Sequence, residues 1–297
     1  MATSVLPAPS SGVAGIPWAL LAFGAFATND AIVKVTSSVL PVMQVAFFVT
    51  LGSLVPVLFV IWWEGGFRRF WPSVPGLVAL RAIFAATSAL LAFSAFARLP
   101  LADVYALIFT IPLWVTVLSV PVLGEQVGWR RLSAVVVGFL GVLVMVQPGE
   151  AALGLGHLMA AGCALAASAA YLTTRRIGAR ARGGTQLLAV TFVMLLVTAP
   201  SVWVAPPSPP SATLTLLLLG GTLQGMAQFA IWQALKLSAA SVVVPFQYSQ
   251  LLWAVVYGAL LFGEWPSAAT LAGAVIVIGS GLYIMQRERR LARVRPA

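Results

Sequence analysis

"LFGEWPSAATLAGAVIVIGSGLYIMQ" (Leu261–Gln286) is written in a pattern the chain has already used once, as "VLGEQVGWRRLSAVVVGFLGVLVMVQ" (Val122–Gln147). Each stretch opens with two apolar residues and Gly-Glu, crosses a short polar break, and runs through small and branched apolar residues to a Gln. The two acids, Glu125 and Glu264, stand 139 positions apart. The likeness extends upstream, where "ARLPLADVYALIFTIPLW" (Ala97–Trp114) matches "LKLSAASVVVPFQYSQLLW" (Leu235–Trp253). The offset is 138 at Arg98/Lys236 and 139 at Trp114/Trp253, so one residue has been inserted. Doubling on this scale divides the chain into two units, 1–150 and 151–297.

What those units are made of follows from composition. The chain is 61% hydrophobic and only 8% charged, against about 25% charged in an ordinary soluble domain. So few charges cannot cover a water-facing surface, and lipid is the solvent that fits. The net charge of +10 does not indicate nucleic acid, because the basic residues sit in gaps between apolar runs instead of forming a stripe interleaved with aromatics. The lone Cys163 has no partner for an internal disulfide and reads as a small packing residue.

A helix crossing the hydrocarbon layer needs about 20 residues. Ten runs approach or exceed that length: Ile16–Ser37, Pro41–Trp62, Val74–Phe96, Leu101–Leu123, Arg131–Gln147, Gly154–Thr174, Gln186–Val204, Thr213–Leu235, Ala240–Phe262 and Ala268–Gln286. Their continuous apolarity excludes a β-barrel, whose strands alternate. The expected fold is an all-α membrane protein of ten transmembrane helices. Pro56, Pro112, Pro121 and Pro245 fall inside runs, and each removes a backbone hydrogen bond; Pro112 and Pro245 are hinge candidates. Trp18, Trp62, Trp63, Trp71 and Trp203 read as interface anchors.

Orientation follows from the basic residues. With the N-terminus cytoplasmic, Arg68, Arg69, Arg130, Arg131, Arg175, Arg176, Arg180, Arg182, Lys236 and the tail from Arg287 lie inside, and only Lys34 and Arg98 lie outside. Arg81, near the inner end of the third run, can snorkel inward. Both termini are therefore expected to be cytoplasmic in a bacterial inner membrane. "AFA" at residues 25–27 imitates a signal-peptidase site, but no positive n-region precedes it, so the first run is expected to be retained. Each unit holds five spans, an odd number, so the second must enter from the opposite side. Two inverted five-helix repeats have two related packings, the recurring arrangement of secondary transporters that alternate between faces.

Polar residues inside spans are costly and face a cavity or another helix. Gln224, Gln228 and Trp232 follow i, i+4, i+8 in the eighth run. Phe246, Gln250, Trp253 and Tyr257 share a face of the ninth, with Gln247 and Tyr248 beside Pro245. Tyr105, Phe109 and Thr116 share a face of the fourth. Together with Ser88 and Tyr171, these residues suggest a small-molecule cavity lined by amides, which bond both ammonium and carboxylate, and by rings, which stack and attract cations. The alternative assigns the Gln residues to interhelical bonding and the Trp and Tyr to interfaces. Asp30 and Lys34, at i and i+4, can form a local ion pair; the sharper reading makes Asp30 a proton-coupling carboxylate with Lys34 beside it. Asp103 suits a helix N-terminus. Glu125 and Glu264 read as parts of structural turns.

The chain resembles the EamA type of the drug/metabolite transporter superfamily. The matching features are ten spans in duplicated five-span units, Gly124-Glu125 and Gly263-Glu264 after the fourth and ninth spans, glycine-rich fifth and tenth spans, and Asn29 with Lys34 in the first. Two features depart from the pattern. An Arg common in the second span is absent, with Phe47 and Phe48 nearby, and Ala27-Thr28 replaces a Trp-Gly pair. Within the family the resemblance is to bacterial exporters of aromatic or neutral amino acids and of methyl viologen, which implies alternating-access export. The resulting expectations are a small-molecule substrate, the lipid bilayer and a homodimeric second copy as partners, with no nucleic acid, cofactor or metal. The rival classes are a membrane enzyme and a channel-like protein. Enzyme chemistry finds little to work with: two Asp, one His and one Cys, and no phosphate-binding loop.

Overall fold

Backbone groups in lipid have no water to bond, so apolar runs of this length close their hydrogen bonds internally as helices. The computed structural model describes residues 14–64, 66, 71–124, 128–146, 154–204, 209–238 and 243–294. Arg68, Arg69 and Glu125 lie outside that set, as do the side chains of Arg131, Trp232, Lys236 and the basic tail.

The first three spans are Ile16–Thr36, Val42–Trp63 and Pro75–Phe96. The fourth is broken into Leu101–Ile108 and Ile111–Leu123. The fifth is Trp129–Val146 and the sixth Leu155–Ile177. The seventh comprises Gly183–Thr198 and Pro200–Val204, and the eighth is Ser211–Leu237. The tenth runs from Ala268 to Val294, well past the expected end at Gln286. Prolines start several spans: Pro41, Pro100 and Pro210 occupy N-cap positions, and Pro75 opens the third helix, where a missing N–H costs nothing. Inside a span the effect depends on position. The second helix continues across Pro56, whereas the fourth breaks just before Pro112.

The ninth span departs furthest from the single helix expected over Ala240–Phe262. Its described part is a 3-10 turn (Val244–Tyr248), an α-helix (Ser249–Tyr257) and a π turn (Gly258–Phe262). The fourth and ninth spans then end alike. Gly124 has φ 68° and Gly263 has φ 65°, the left-handed conformation that closes a helix C-terminus and that a side chain disfavours. The duplicated glycine is thus explained by a duplicated backbone requirement.

Packing gives the architecture. Around the molecule the spans contact one another in the order first, eighth, second, seventh, third, sixth, fourth, ninth, and back to first. Members of the two repeats alternate at every step. If each span is exchanged with its counterpart five places along, the ring maps onto itself in reverse order. A two-fold axis through the second/seventh and fourth/ninth contacts has this property. The fifth and tenth spans pack against each other outside the ring, on that same axis and beside the fourth span. This is the inverted-repeat, ten-helix fold.

Small residues bring the ring helices together. A Cβ on Gly221 would stand 1.9 Å from the Val49 carbonyl oxygen, and one on Gly52 would stand 2.4 Å from that of Leu218. The second and eighth helices therefore touch backbone to backbone, as small residues permit in lipid. Paired contacts also follow the two-fold relation. Gly15, at the start of the first span, donates its N–H to Ser238 Oγ at 2.9 Å, while Gly156, at the start of the sixth, abuts Leu99. Ser238 directly follows Leu237, the counterpart of Leu99 at the 138-residue offset.

Candidate functional site

The site is built where the fourth span breaks. Pro112 has no N–H to offer the Ile108 carbonyl, so the α-helical ladder is interrupted one turn before it. Phe109 and Thr110 occupy the break, and Ser168 of the sixth span donates to the Ile111 carbonyl at 3.2 Å. One turn earlier, Tyr105 is held between Phe96 and Phe109, at ring separations of 5.5 and 6.1 Å. Phe109 in turn meets Tyr248 of the ninth span edge-on at 5.0 Å. The break and the 3-10 turn thus bring the fourth and ninth spans together through aromatic rings. In this conformation Tyr105 and Phe109 are both buried.

The Tyr105 hydroxyl donates to Asp30 Oδ2 at 2.5 Å, and the Asn29 side-chain amide donates to Asp30 Oδ1 at 3.4 Å. Gln250 of the ninth span lies beside the same Tyr105 hydroxyl. Helical register shows where Asp30 points. Leu21 and Val35, on the opposite side of the first helix, are exposed and face lipid, so Asp30 faces the interior of the ring. The first helix continues the contact toward the ninth: the Thr28 hydroxyl lies 2.8 Å from that of Tyr257, which stacks on Trp253 at 6.0 Å.

Gln224 and Gln228 meet the same test on the eighth span. Gly220, Ala227 and Ala230 face the first helix, while Gly221 and Gly225 face the second. Leu219 and Met226, on the far side, are exposed. The two amides lie between the contact faces and point inward, with Gln228 the more open of the pair. Trp232 continues their register; its side chain is outside the described set.

Lys34 does not pair with Asp30. Its ammonium lies 2.8 Å from both carboxylate oxygens of Glu264 and 2.7 Å from the Leu99 carbonyl, with the Phe262 ring 4.9 Å away. The turn at Gly263, closed by a Glu264 N–H bond to the Gly258 carbonyl at 2.9 Å, delivers that carboxylate to the end of the first span. Glu264 is therefore the ion-pair partner of Lys34 as well as part of a turn. A bidentate carboxylate, joined by a carbonyl, gives the ammonium three close acceptors at the end of the span.

The other expected residues lie elsewhere. Ser88 bonds the Cys163 carbonyl at 3.1 Å and meets its sulfur at 3.3 Å, joining the third and sixth spans. Tyr171 is exposed and lies near Arg81, which bonds Thr174 and the Gln186 carbonyl. Neither Ser88 nor Tyr171 is bonded to the Asp30–Tyr105 cluster. Gln247 lies beside the Tyr248 hydroxyl, and that hydroxyl packs on Gly281 of the tenth span. Asp103 accepts from Thr270 at 2.8 Å, tying the starts of the fourth and tenth spans. Thr28 and Glu264 belong to the assembly, although the sequence pointed to neither as a site residue and gave Glu264 only a turn. Glu264 carried a signal, since an acid repeated at the same point of two units is more than a turn requires.

Known proteins resemble this chain over nearly its whole length. The riboflavin transporter of Rhizobium johnstonii is 29% identical over 99% of this chain and 98% of its own. The S-adenosylmethionine uptake transporter of Rickettsia prowazekii is 26% identical over 93% and 94%. The pseudopaline exporter of Pseudomonas aeruginosa is 27% identical over 93% and 97%. These names include both uptake and export, and none of the three names an amino acid as cargo. One solved crystal structure superposes on 93% of this chain and 99% of its own with a TM-score of 0.60 at 19% identity, a likeness of fold. The profile of the EamA-like transporter family matches residues 13–147 and again 154–286. With nearly the whole chain matched in two copies, this multi-pass membrane protein belongs to the EamA-like transporter family.

Proposed function

We propose that the chain carries small amphipathic metabolites with a planar or aromatic part, aromatic and neutral amino acids among them, across the bacterial inner membrane by alternating access, with both termini cytoplasmic. The observation that carries this reading is the closed ring in which spans of two inverted repeats alternate. Such a ring can part at either of its two mouths, which the in-plane two-fold axis exchanges, while its middle stays assembled. Asp30, Gln224, Gln228 and Gln250 supply the polar contacts. Tyr105, Phe109, Tyr248 and Trp253 supply the apolar wall. The breaks at Phe109–Thr110 and at the 3-10 turn before Ser249 are the flexible points, with Pro112 and Pro245 beside them. The names of the relatives support this substrate class, because riboflavin and S-adenosylmethionine both carry planar heteroaromatic rings and the latter also carries an amino-acid group.

The test uses purified protein in sealed vesicles without ATP. Flux of phenylalanine, tryptophan, leucine, riboflavin and S-adenosylmethionine is compared with flux in protein-free vesicles. At least one should move faster with protein present, and Gln250→Ala should slow it without lowering folded yield. Vesicles no leakier than the controls across this panel would remove the reading.

A further inference from the structure

Every described carboxylate but one has a cation, a helix N-terminus or a loop to account for it. Glu264 is held by Lys34. Glu64 accepts the Gly184 N–H at 2.8 Å at the start of the seventh span, where Arg182 also bonds its carbonyl. Asp103 sits in the first turn of the fourth helix and accepts from Thr270. Asp30 lies mid-helix, faces the ring interior, and receives only neutral donors, from Tyr105 and Asn29. Lys34, one turn away, is occupied by Glu264, the Leu99 carbonyl and the Phe262 ring. Acceptors also outnumber donors here, since the buried Asn29 Oδ1 has no partner among the described residues.

A carboxylate removed from water without a counter-ion is costly. The neutral donors around Asp30 leave that charge without a counter-ion among the described residues. The surroundings indicate the chemistry of a fitting counter-ion: the Tyr105 ring with Phe96 and Phe109 behind it, Tyr257 on the facing span and the Gln250 amide beside the Tyr105 hydroxyl. Ring faces attract organic cations, and an amide and a carboxylate accept the hydrogen bonds of an ammonium. We propose that Asp30, framed by Tyr105 and Gln250, is a binding subsite for an organic monocation (an ammonium, a sulfonium or an N-alkylated ring) carried by the transported molecule. The proposal rests on the transporter reading and narrows it to cationic substrates.

The test compares molecules that differ mainly in that charge. The full chain in lipid nanodiscs is titrated by calorimetry with S-adenosylmethionine and S-adenosylhomocysteine, the net-neutral thioether that lacks only the sulfonium charge, and with tyramine and its uncharged analogue, 4-ethylphenol. In at least one pair the cation should bind about tenfold more tightly or better. The preference should fall below about threefold in Asp30→Asn. That variant keeps an oxygen acceptor for the Tyr105 hydroxyl and so removes charge while sparing the contact. Equal affinity within both pairs, the result for a site occupied only by protons, overturns the proposal. So does a preference unchanged in Asp30→Asn, or no binding of either cation at millimolar concentration. The wild-type pairs decide even if the variant fails to fold. Vesicle flux of a neutral panel member without any cation preference would leave the transporter reading standing and this one refuted.

Discussion

Lys34 and Glu264, 230 positions apart, form a two-oxygen ion pair at 2.8 Å that fastens the end of the first span to the turn after the ninth. The same ammonium bonds the Leu99 carbonyl, so the connection between the third and fourth spans is drawn into the contact. Three segments are thereby closed together at one mouth of the ring. The side chains are 11% and 31% exposed, enough burial for the pair to exceed a surface salt bridge. Glu264→Gln or Lys34→Met should each cost about 1–3 kcal/mol, because each leaves a partly buried charge unmatched. The exchanged variant, Lys34→Glu with Glu264→Lys, should recover part of that loss. Thermal unfolding of the single and double variants gives the coupling energy; a value below about 0.5 kcal/mol would show that the contact holds nothing.

The same pair shows what could be read in advance and what could not. Apolar run length located the spans because lipid forces each run to bond within itself. The duplicated Gly124 and Gly263 marked real backbone equivalents. Local spacing misled at Lys34, where i, i+4 suggested Asp30 while the tertiary partner lay in the other repeat. It also presented the ninth span as one helix, because its 3-10 and π turns follow from packing against the fourth and first spans and leave no periodic signature. Helical spacing grouped Gln224 with Gln228, because polar residues inside spans are costly; their place in a cavity, with Gln250, belongs to the proposed function. Ser88 and Tyr171 carried no such pattern; Ser88 bonds Cys163 and Tyr171 lies near Arg81.

Gly281 should be irreplaceable because of Tyr248. A Cβ there would stand 2.6 Å from the Tyr248 hydroxyl oxygen, with Pro112 Cγ at 3.8 Å. Gly281→Ala therefore pushes on the ring that supports Phe109 and should cost about 1–3 kcal/mol. Tyr248→Phe removes the offending oxygen, so the double variant should recover most of the loss. A double variant that melts as early as Gly281→Ala alone would refute this account of the contact between the tenth span and the aromatic wall.

Gly221 tests the ring itself. A Cβ at that position meets a backbone oxygen at 1.9 Å, and backbone cannot turn aside as the end of a side chain can. Gly221→Ala should separate the second and eighth helices and sharply reduce folded yield on size-exclusion chromatography. Gly279→Ala is the matched control, because no atom lies within 4 Å of its Cβ; it should be neutral or stabilising by about 0.5–1 kcal/mol through helix propensity. Equal yields from the two variants would mean that the close approach does not hold the ring together.

Sidedness is the remaining prediction, and the fold reduces it to one binary choice. Ser73, in the connection between the second and third spans, donates its N–H to the Arg180 carbonyl between the sixth and seventh at 3.2 Å. Those two connections therefore share one face of the molecule. Ser38, between the first and second spans, is one membrane crossing away from the first of them. Under the inverted arrangement Ser38 and Arg180 occupy corresponding places in the two repeats yet lie on opposite sides. The basic residues of the Arg175–Arg182 segment predict that its face is the inward one. With Cys163 replaced by Ser, Ser38→Cys should react with a membrane-impermeant maleimide in intact cells. Trp71→Cys and Arg180→Cys should react only after permeabilisation. Ser38→Cys protected while the other two react would reverse the orientation and keep the fold; Trp71→Cys and Arg180→Cys responding on opposite sides would contradict the fold, because the Ser73–Arg180 bond could not then exist.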